Sequence, residues 1–215
     1  MKKYLKILCI ILILICLVAL KEKNNQLVIY IDPGHGGIDG GCVGIDQTYE
    51  KDINLNISLE LRSALINLGY IVEMTRVGDY DLASKYSKNR KKDDIIKRCE
   101  MMNQGDVFVS IHCNSYPDSR ISGAQVFYSD DEEKLLAEEI QKSIKGMFNN
   151  TNREVNRLTN KYILENVHGI GCIVEVGFLS NCNDLEQLKD LDYQRNISYA
   201  IAIGIDNYIN NINAN

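Results

Sequence analysis

Four residues in this chain have the types and settings that metal-dependent hydrolysis requires. His35 sits on a glycine-rich turn, Asp32-Pro33-Gly34-His35-Gly36-Gly37, directly after the apolar run 27–31. His112 closes a second apolar run, 107–111. Hydrolytic zinc sites take three protein ligands, commonly histidine and carboxylate, and keep one position open for water. His35, Glu50 and His112 supply such a set. Both histidines fall at the C-terminal ends of expected strands, the edge of an open α/β sheet where ligands bind. Glu50 opens a helical pattern that would start at the same edge, where the helix dipole favours a carboxylate. Glu175 is an acid inside the apolar run Ile173-Val174-Glu175-Val176. Burying an unpaired carboxylate is costly, so it must find a partner or shift its pKa. Beside a metal centre such a glutamate can take a proton from water and return it to the leaving group.

Taken singly, each residue has a plainer reading. The glycine turn resembles a phosphate cradle, but it lacks the Lys-Ser/Thr ending of a phosphate-loop NTPase and the spacing of a dinucleotide fingerprint. Glu50 alone is an ordinary helix-start acid, and His112 alone a buried, hydrogen-bonded histidine. His168 lies among polar residues and reads as a surface histidine.

The elements that must position these groups follow from periodicity. Residues 27–31, 70–74, 107–111, 123–128 and 172–176 read as strands, with 123–128 at an edge. From 49 to 68 apolar residues recur every three to four positions (Ile53, Ile57, Leu61, Leu65), and Gly69 follows as a stop. A second helix is expected over 93–103, with Ile95, Ile96, Cys99 and Met102 facing inward. A third covers 131–147, carrying Leu135, Leu136, Ile140 and Ile144. A helical turn at 185–188 and an apolar helix over 197–209 follow. Residues 32–48, 75–88 and 149–160 read as polar or glycine-rich loops. Alternating strands and helices predict a three-layer α/β fold, with a mostly parallel or mixed sheet between helices.

The chain has 215 residues and a formal net charge of −5. Residues 1–20 hold three lysines and no acid, so the remainder stands at −8. An acidic domain of this kind argues against nucleic acid as a partner, because phosphate contact needs clustered Lys and Arg. Lys2, Lys3 and Lys6 flank an uncharged run from 7 to 20. No small-residue cleavage pattern follows it, and no lipoprotein-type cysteine box is present, so an uncleaved anchor over residues 4–20 is favoured over a cleaved export signal. The lysines would keep that end cytoplasmic and place the domain on the extracytoplasmic face of the membrane. The expected division is residues 1–25 as anchor and linker and 26–215 as one catalytic domain. Five of the seven cysteines lie beyond the anchor: Cys42, Cys99, Cys113, Cys172 and Cys182. No CxxC pair occurs among them, which argues against a cysteine metal site, and they read as small buried residues. Strand alternation predicts that Cys113 points away from His112.

Five blocks together carry a resemblance. They are Ile31-Asp32-Pro33-Gly34-His35-Gly36-Gly37; Glu50-Lys51-Asp52-Ile53-Asn54-Leu55; Met74-Thr75-Arg76; residues 107–114, ending Ile111-His112-Cys113-Asn114; and residues 173–181, starting Ile173-Val174-Glu175. In this order they resemble the zinc-dependent N-acetylmuramoyl-L-alanine amidases of the type 3 family, across residues 27–210. The resemblance implies that His35, Glu50 and His112 hold one Zn²⁺ per chain, that Glu175 is the catalytic acid/base, and that the sheet has about six strands. Arg98 and Asn103 fall where the family has an arginine and an asparagine, in a structural or substrate-orienting role. Asn114 is expected to contact substrate. Cys113 and Ile170 depart from the family's usual small residue and proline, but neither is a ligand. The substrate implied is peptidoglycan, cut between muramic acid and L-alanine. A bare catalytic domain behind an anchor is similar to the spore-cortex members of the family. That likeness implies a coupled deacetylase that completes muramic-δ-lactam; with no inhibitory helix visible, control is expected from expression or from an accessory activator protein. The alternatives are a general amidase of cell separation or autolysis, a zinc peptidase, or a non-catalytic wall-binding protein.

Overall fold

The structure, a computed structural model, describes residues 27–148 and 151–214, together with Tyr4. Apart from Tyr4, the expected anchor lies outside the described residues, and among these no helix is long and apolar enough to cross a membrane. In chain order the elements are β1 (Val28–Pro33), α1 (Glu50–Asn67), β2 (Ile71–Met74), α2 (Arg90–Met102), β3 (Val107–Asn114), β4 (Gln125–Tyr128), α3 (Asp131–Met147), β5 (Asn156–Arg157), α4 (Tyr162–Asn166), β6 (Ile170–Phe178), α5 (Cys182–Lys189) and α6 (Leu191–Asn213). The sheet runs β2-β1-β3-β6-β4-β5. Its first four strands are mutually parallel, and β4 runs antiparallel to β6. This is the expected three-layer arrangement with a six-stranded mixed sheet.

Strand alternation divides the interior into two cores. Ile29, Ile31, Val109, Ile111 and Val174 face α1, α3 and α6 in the larger one. Tyr30, Phe108, Phe127 and Ile173 face the other way, against Cys99 and Met102 of α2 and Ile163 of α4. Asp32, Ser110, His112 and Glu175 continue these even-numbered and β6 positions, so the polar groups collect on the thinner side. Cys113 belongs to the larger core, opposite His112 as expected. In α1 the fourfold repeat Ile53, Ile57, Leu61, Leu65 is buried against the sheet. Full burial of each such side chain contributes about 1.5–3 kcal/mol. The helix ends where Gly69 adopts a φ of 95° and the chain turns into β2.

Four details differ from expectation. Strand β4 is not an edge, because the two-residue β5, formed inside the polar stretch 149–160, pairs outside it. The inner face of α2 is partly charged: Asp94 and Arg98 are buried with Cys99 and Met102, while Ile95 and Ile96 are half-buried. An i,i+4 pair that satisfies itself against a third buried charge can occupy a face that hydropathy assigns to isoleucine. In α3, Leu135 is 57% exposed. The five described cysteines are free, and Cys99, Cys113 and Cys172 are buried, but Cys42 is half-buried and Cys182 exposed.

Candidate metal centre and active site

At the C-terminal edge of β1, β3 and β6 one donor atom each from His35, Glu50 and His112 lies within 4.8 Å of the others. Glu50 Oε1 stands 3.2 Å from His35 Nε2 and 2.9 Å from His112 Nδ1. Both rings are about one-fifth exposed and Glu50 only 2%, so the group is supported from within and open to solvent on one side. Burial alone would push the Glu50 carboxyl up, but the two facing histidines hold it well below the usual carboxylate range. Two nitrogens and one anionic oxygen, convergent and half-open, are what a catalytic metal ion requires.

Each donor is held in turn. His35 Nδ1 lies 3.0 Å from Asp39 Oδ2, the carboxylate–histidine pairing that fixes a ligand's ring and tautomer. Asn54, one helical turn after Glu50, donates Nδ2 to Glu50 Oε1 and to the Gly34 carbonyl, each at 3.2 Å. The backbone N–H groups of Cys42 and Cys113 donate to the Glu50 carboxylate at 2.7 and 3.1 Å. Cys113 lies where the β3–β6 register shifts, between His112 and Asn114. Burial, with Glu50 adding to it, pushes the Cys42 thiol up to about 11 and the Cys113 thiol well above its ordinary value. Neither cysteine is therefore a thiolate at neutral pH.

His35 itself has φ = 62°, a left-handed conformation that costs a non-glycine residue of the order of 1–3 kcal/mol. Reciprocal backbone hydrogen bonds between Gly36 and Asp39 hold it there. At Gly34 the constraint is space: a Cβ would stand 2.3 Å from His112 Cε1. Gly34→Ala must push the ring aside and is expected to weaken metal affinity by about 10–100-fold, the usual cost of disturbing a ligand's support. A chelator competition titration against wild type checks this, and unchanged affinity would contradict the tight packing.

Glu175 lies beside His112 in the sheet register. Its Oε2 is buried without a hydrogen-bond partner among the described residues. Burial, reinforced by the charge of Glu50, raises its pKa against the opposing influence of His112 and Lys161. A carboxylate that faces a metal-ligand cluster and has no partner of its own is available to move a proton. It opens onto a cavity of about 330 Å³ that also takes in His35, His112 and Asn114.

Comparison with known proteins bears directly on this arrangement. Residues 29–207 match the family model described as N-acetylmuramoyl-L-alanine amidase. The chain belongs to that amidase family. It is 38% identical over 188 residues to the germination-specific N-acetylmuramoyl-L-alanine amidase of Bacillus subtilis, covering 84% of this chain and 79% of that protein. Its fold is similar to that of the CwlD amidase from Clostridioides difficile, solved in complex with the GerS lipoprotein. That likeness has a TM-score of 0.83 at 36% identity, over 86% of this chain and 99% of that one. The catalytic domain of CwlV from Bacillus (Paenibacillus) polymyxa gives 0.77 at 31% identity, over 86% and 99%. The protein is thus a peptidoglycan amidase, and the peptidase and wall-binding alternatives fall away.

Of the two roles expected for Arg98 in this amidase, the geometry supports the structural one. Arg98 is 3% exposed and all of its donor nitrogens are engaged. Nε donates to Asp94 at 2.7 Å, NH1 to Asp32 at 2.8 Å and to the Pro33 carbonyl at 2.7 Å, and NH2 to the His35 carbonyl at 2.6 Å. These four bonds use four of its five N–H groups, and Arg98 also lines the cavity. Asn103 is structural as well: it accepts from the His168 N–H and donates to the Asn166 carbonyl, which ties the end of α2 to the approach to β6. Asn114 does line the cavity, with its Oδ1 taken by the Ser115 N–H. His168 is exposed, as expected.

Sequence reasoning assigned no role to Asp32, Asp39, Asn54 or Arg76. Arg76 is 1% exposed and grips the site loop from below, donating to the carbonyls of Pro33, Gly34, Lys51 and Gly78 at 2.8–3.0 Å. Two signals were available. Asn54 follows Glu50 at helical spacing, and Arg76 stands two residues past the end of β2, the strand beside β1.

Proposed function

We propose that the amidase holds one zinc ion on His35, Glu50 and His112 and uses Glu175 as its general acid/base. The observation that carries this reading is the convergence of three supported donors beside a buried carboxylate with no partner of its own. The donor set suits zinc, which accepts imidazole nitrogen and carboxylate oxygen and keeps an open position in catalytic sites. When bound, the ion supplies Lewis acidity at the scissile carbonyl and lowers the pKa of water. Glu175 accepts the proton of the attacking water and then delivers it to the alanine nitrogen as the amide bond breaks. Asp39 keeps the His35 ring oriented through this cycle. Asn114, on the cavity wall, contacts the substrate.

The preferred substrate in this reading is spore cortex, from which the amidase removes stem peptides before a deacetylase completes muramic-δ-lactam. Support comes from the germination-specific relative and from the CwlD likeness. That neighbour was solved with a lipoprotein, which favours an accessory partner for this chain as well. Residues 4–20 would hold the domain at the extracytoplasmic face of the membrane.

Metal content and product analysis of the purified chain test the centre. Wild type is expected to carry about one zinc and to release peptides with a free N-terminal alanine. A Lewis acid contributes several kcal/mol to such a reaction, so His112→Ala or chelation should remove on the order of 10³-fold of the rate. Zinc should restore the chelated wild type and leave His112→Ala inactive. Full activity in the metal-stripped chain would overturn the reading. Digestion of cortex beside vegetative wall tests the substrate: equal release from both would favour a general wall amidase.

A further inference from the structure

We propose that Lys161 recognises a carboxylate of the stem peptide, on the residue after the alanine, and so makes the amidase select a free acid over its amide at that position. This rests on the reading of Glu175 as the group that protonates the leaving alanine nitrogen. Given that role, the peptide half of the substrate departs over Glu175, away from the donors that gather around Glu50. The cavity that takes in His35, His112 and Glu175 also takes in Phe127, Ile173, Lys161 and Tyr162. Its floor is the cross-strand pair Phe127 and Ile173, on the same face of the sheet as Glu175. Lys161 and Tyr162 form the wall at the start of α4. An apolar floor suits the alanine methyl, and an ammonium beyond it suits an anion.

The charges around the cavity single out this lysine. Arg98 is committed to Asp32 and Asp94. Lys91 is paired with Asp39 at 3.3 Å. Asp39 and Glu50 face the histidines. Lys161 makes no ion pair and no side-chain hydrogen bond among the described residues, in a chain whose net charge is −5. Its charge is felt at Glu175, where it opposes the rise that burial causes, so it stands within electrostatic reach of the reacting end. The second residue of a peptidoglycan stem is a glutamate linked through its side chain. Its α-carboxyl group is therefore left either as a free acid or as an amide. A charge-assisted contact reads that difference directly.

The test compares muramyl-L-alanyl-γ-D-glutamate with its α-amide, using full-length wild type, Lys161→Ala and Lys161→Arg. In parallel, equilibrium binding of the released acid and amide peptides is measured on the same proteins. Wild type is expected to cleave the acid with a kcat/KM about tenfold higher or more, the scale of one charge-assisted hydrogen bond. Lys161→Ala should bring the acid down to the level of the amide, and Lys161→Arg should keep most of the preference. Equal handling of acid and amide by wild type overturns the proposal, as does a preference that survives in Lys161→Ala. A lysine that acted only as counter-ion to Glu175 would lower both substrates by the same factor, and that result also overturns it. If neither substrate is cut, the amidase reading fails on these substrates, and the binding data decide the lysine's role. A Lys161-dependent preference for the acid peptide supports the proposal, and no preference ends it.

Discussion

Glu175→Gln is expected to keep its metal and lose about 10²–10⁴-fold of its activity, the range general acid–base catalysis supplies. The substitution preserves size and polarity at a position whose neighbours tolerate either group. Oε2 has no hydrogen-bond partner among the described residues to lose. Burial already disfavours the charged form there, so an uncharged amide adds no electrostatic penalty to folding. What disappears is the capacity to accept and return a proton. The loss should fall on kcat, because the group acts in the transition state and does not help to bind the ground state. Metal content by elemental analysis and kcat on peptidoglycan fragments would be measured on one preparation. Metal loss in Glu175→Gln would make Glu175 a ligand and displace one of the other three from that role. Retained metal with near-normal kcat would leave the reaction without its proposed base.

The parts of this site that could be read from sequence are those in which one residue type stands out against its background. Glu175 interrupts an apolar strand, and His35 and His112 end two others, so strand period and chemistry point to the same edge of the sheet. The larger core was legible for the same reason: α1 repeats its isoleucines and leucines at helical spacing, and they are buried as that spacing predicts. The supports of the site could not be read this way. Asp32 and Asp94 resemble any loop or helix acid until the fold brings Arg98 between them. Hydropathy assigned the inner face of α2 to Ile95, Ile96, Cys99 and Met102, and of these only Cys99 and Met102 are buried. Asp94 and Arg98 share that face, because pairing with each other and with Asp32 of β1 offsets the desolvation cost that would expel each one alone. Two-residue β5 was invisible because its stability comes from β4 beside it and from no pattern of its own.

Arg98→Met should cost about 3–5 kcal/mol of stability at neutral pH, the penalty for removing one partner of a buried ion pair. That is a large share of the roughly 5–15 kcal/mol that holds a domain together. Methionine replaces most of the volume, so the loss reports charge and hydrogen bonding more than a cavity. Asp32 is fully buried, and Arg98 with the Ser110 and Thr75 hydroxyls surrounds its carboxylate. Burial would push this carboxyl up. The guanidinium 2.8 Å away and the two hydroxyls outweigh burial, and the net shift is down. A depressed folded pKa means that the group's stabilising contribution is complete above its unfolded pKa and lost as pH falls through the folded value. In Arg98→Met burial is opposed only by the two hydroxyls and the nearby His112, so Asp32 takes up a proton at higher pH than in wild type and the penalty lessens once it does. The stability gap should therefore be widest near neutral pH and narrow below the ordinary carboxylate range. Urea denaturation of both proteins across that range measures it. Adding Asp32→Asn to Arg98→Met should recover part of the loss at neutral pH, because it removes the orphaned charge. Arg98→Met should also bind metal more weakly, since the His35 carbonyl loses its donor and the Pro33 carbonyl keeps only Arg76. A gap under about 1 kcal/mol at neutral pH, the scale of an exposed pair, would mean that the site loop is held by Arg76 and the glycine turn without help from this ion pair.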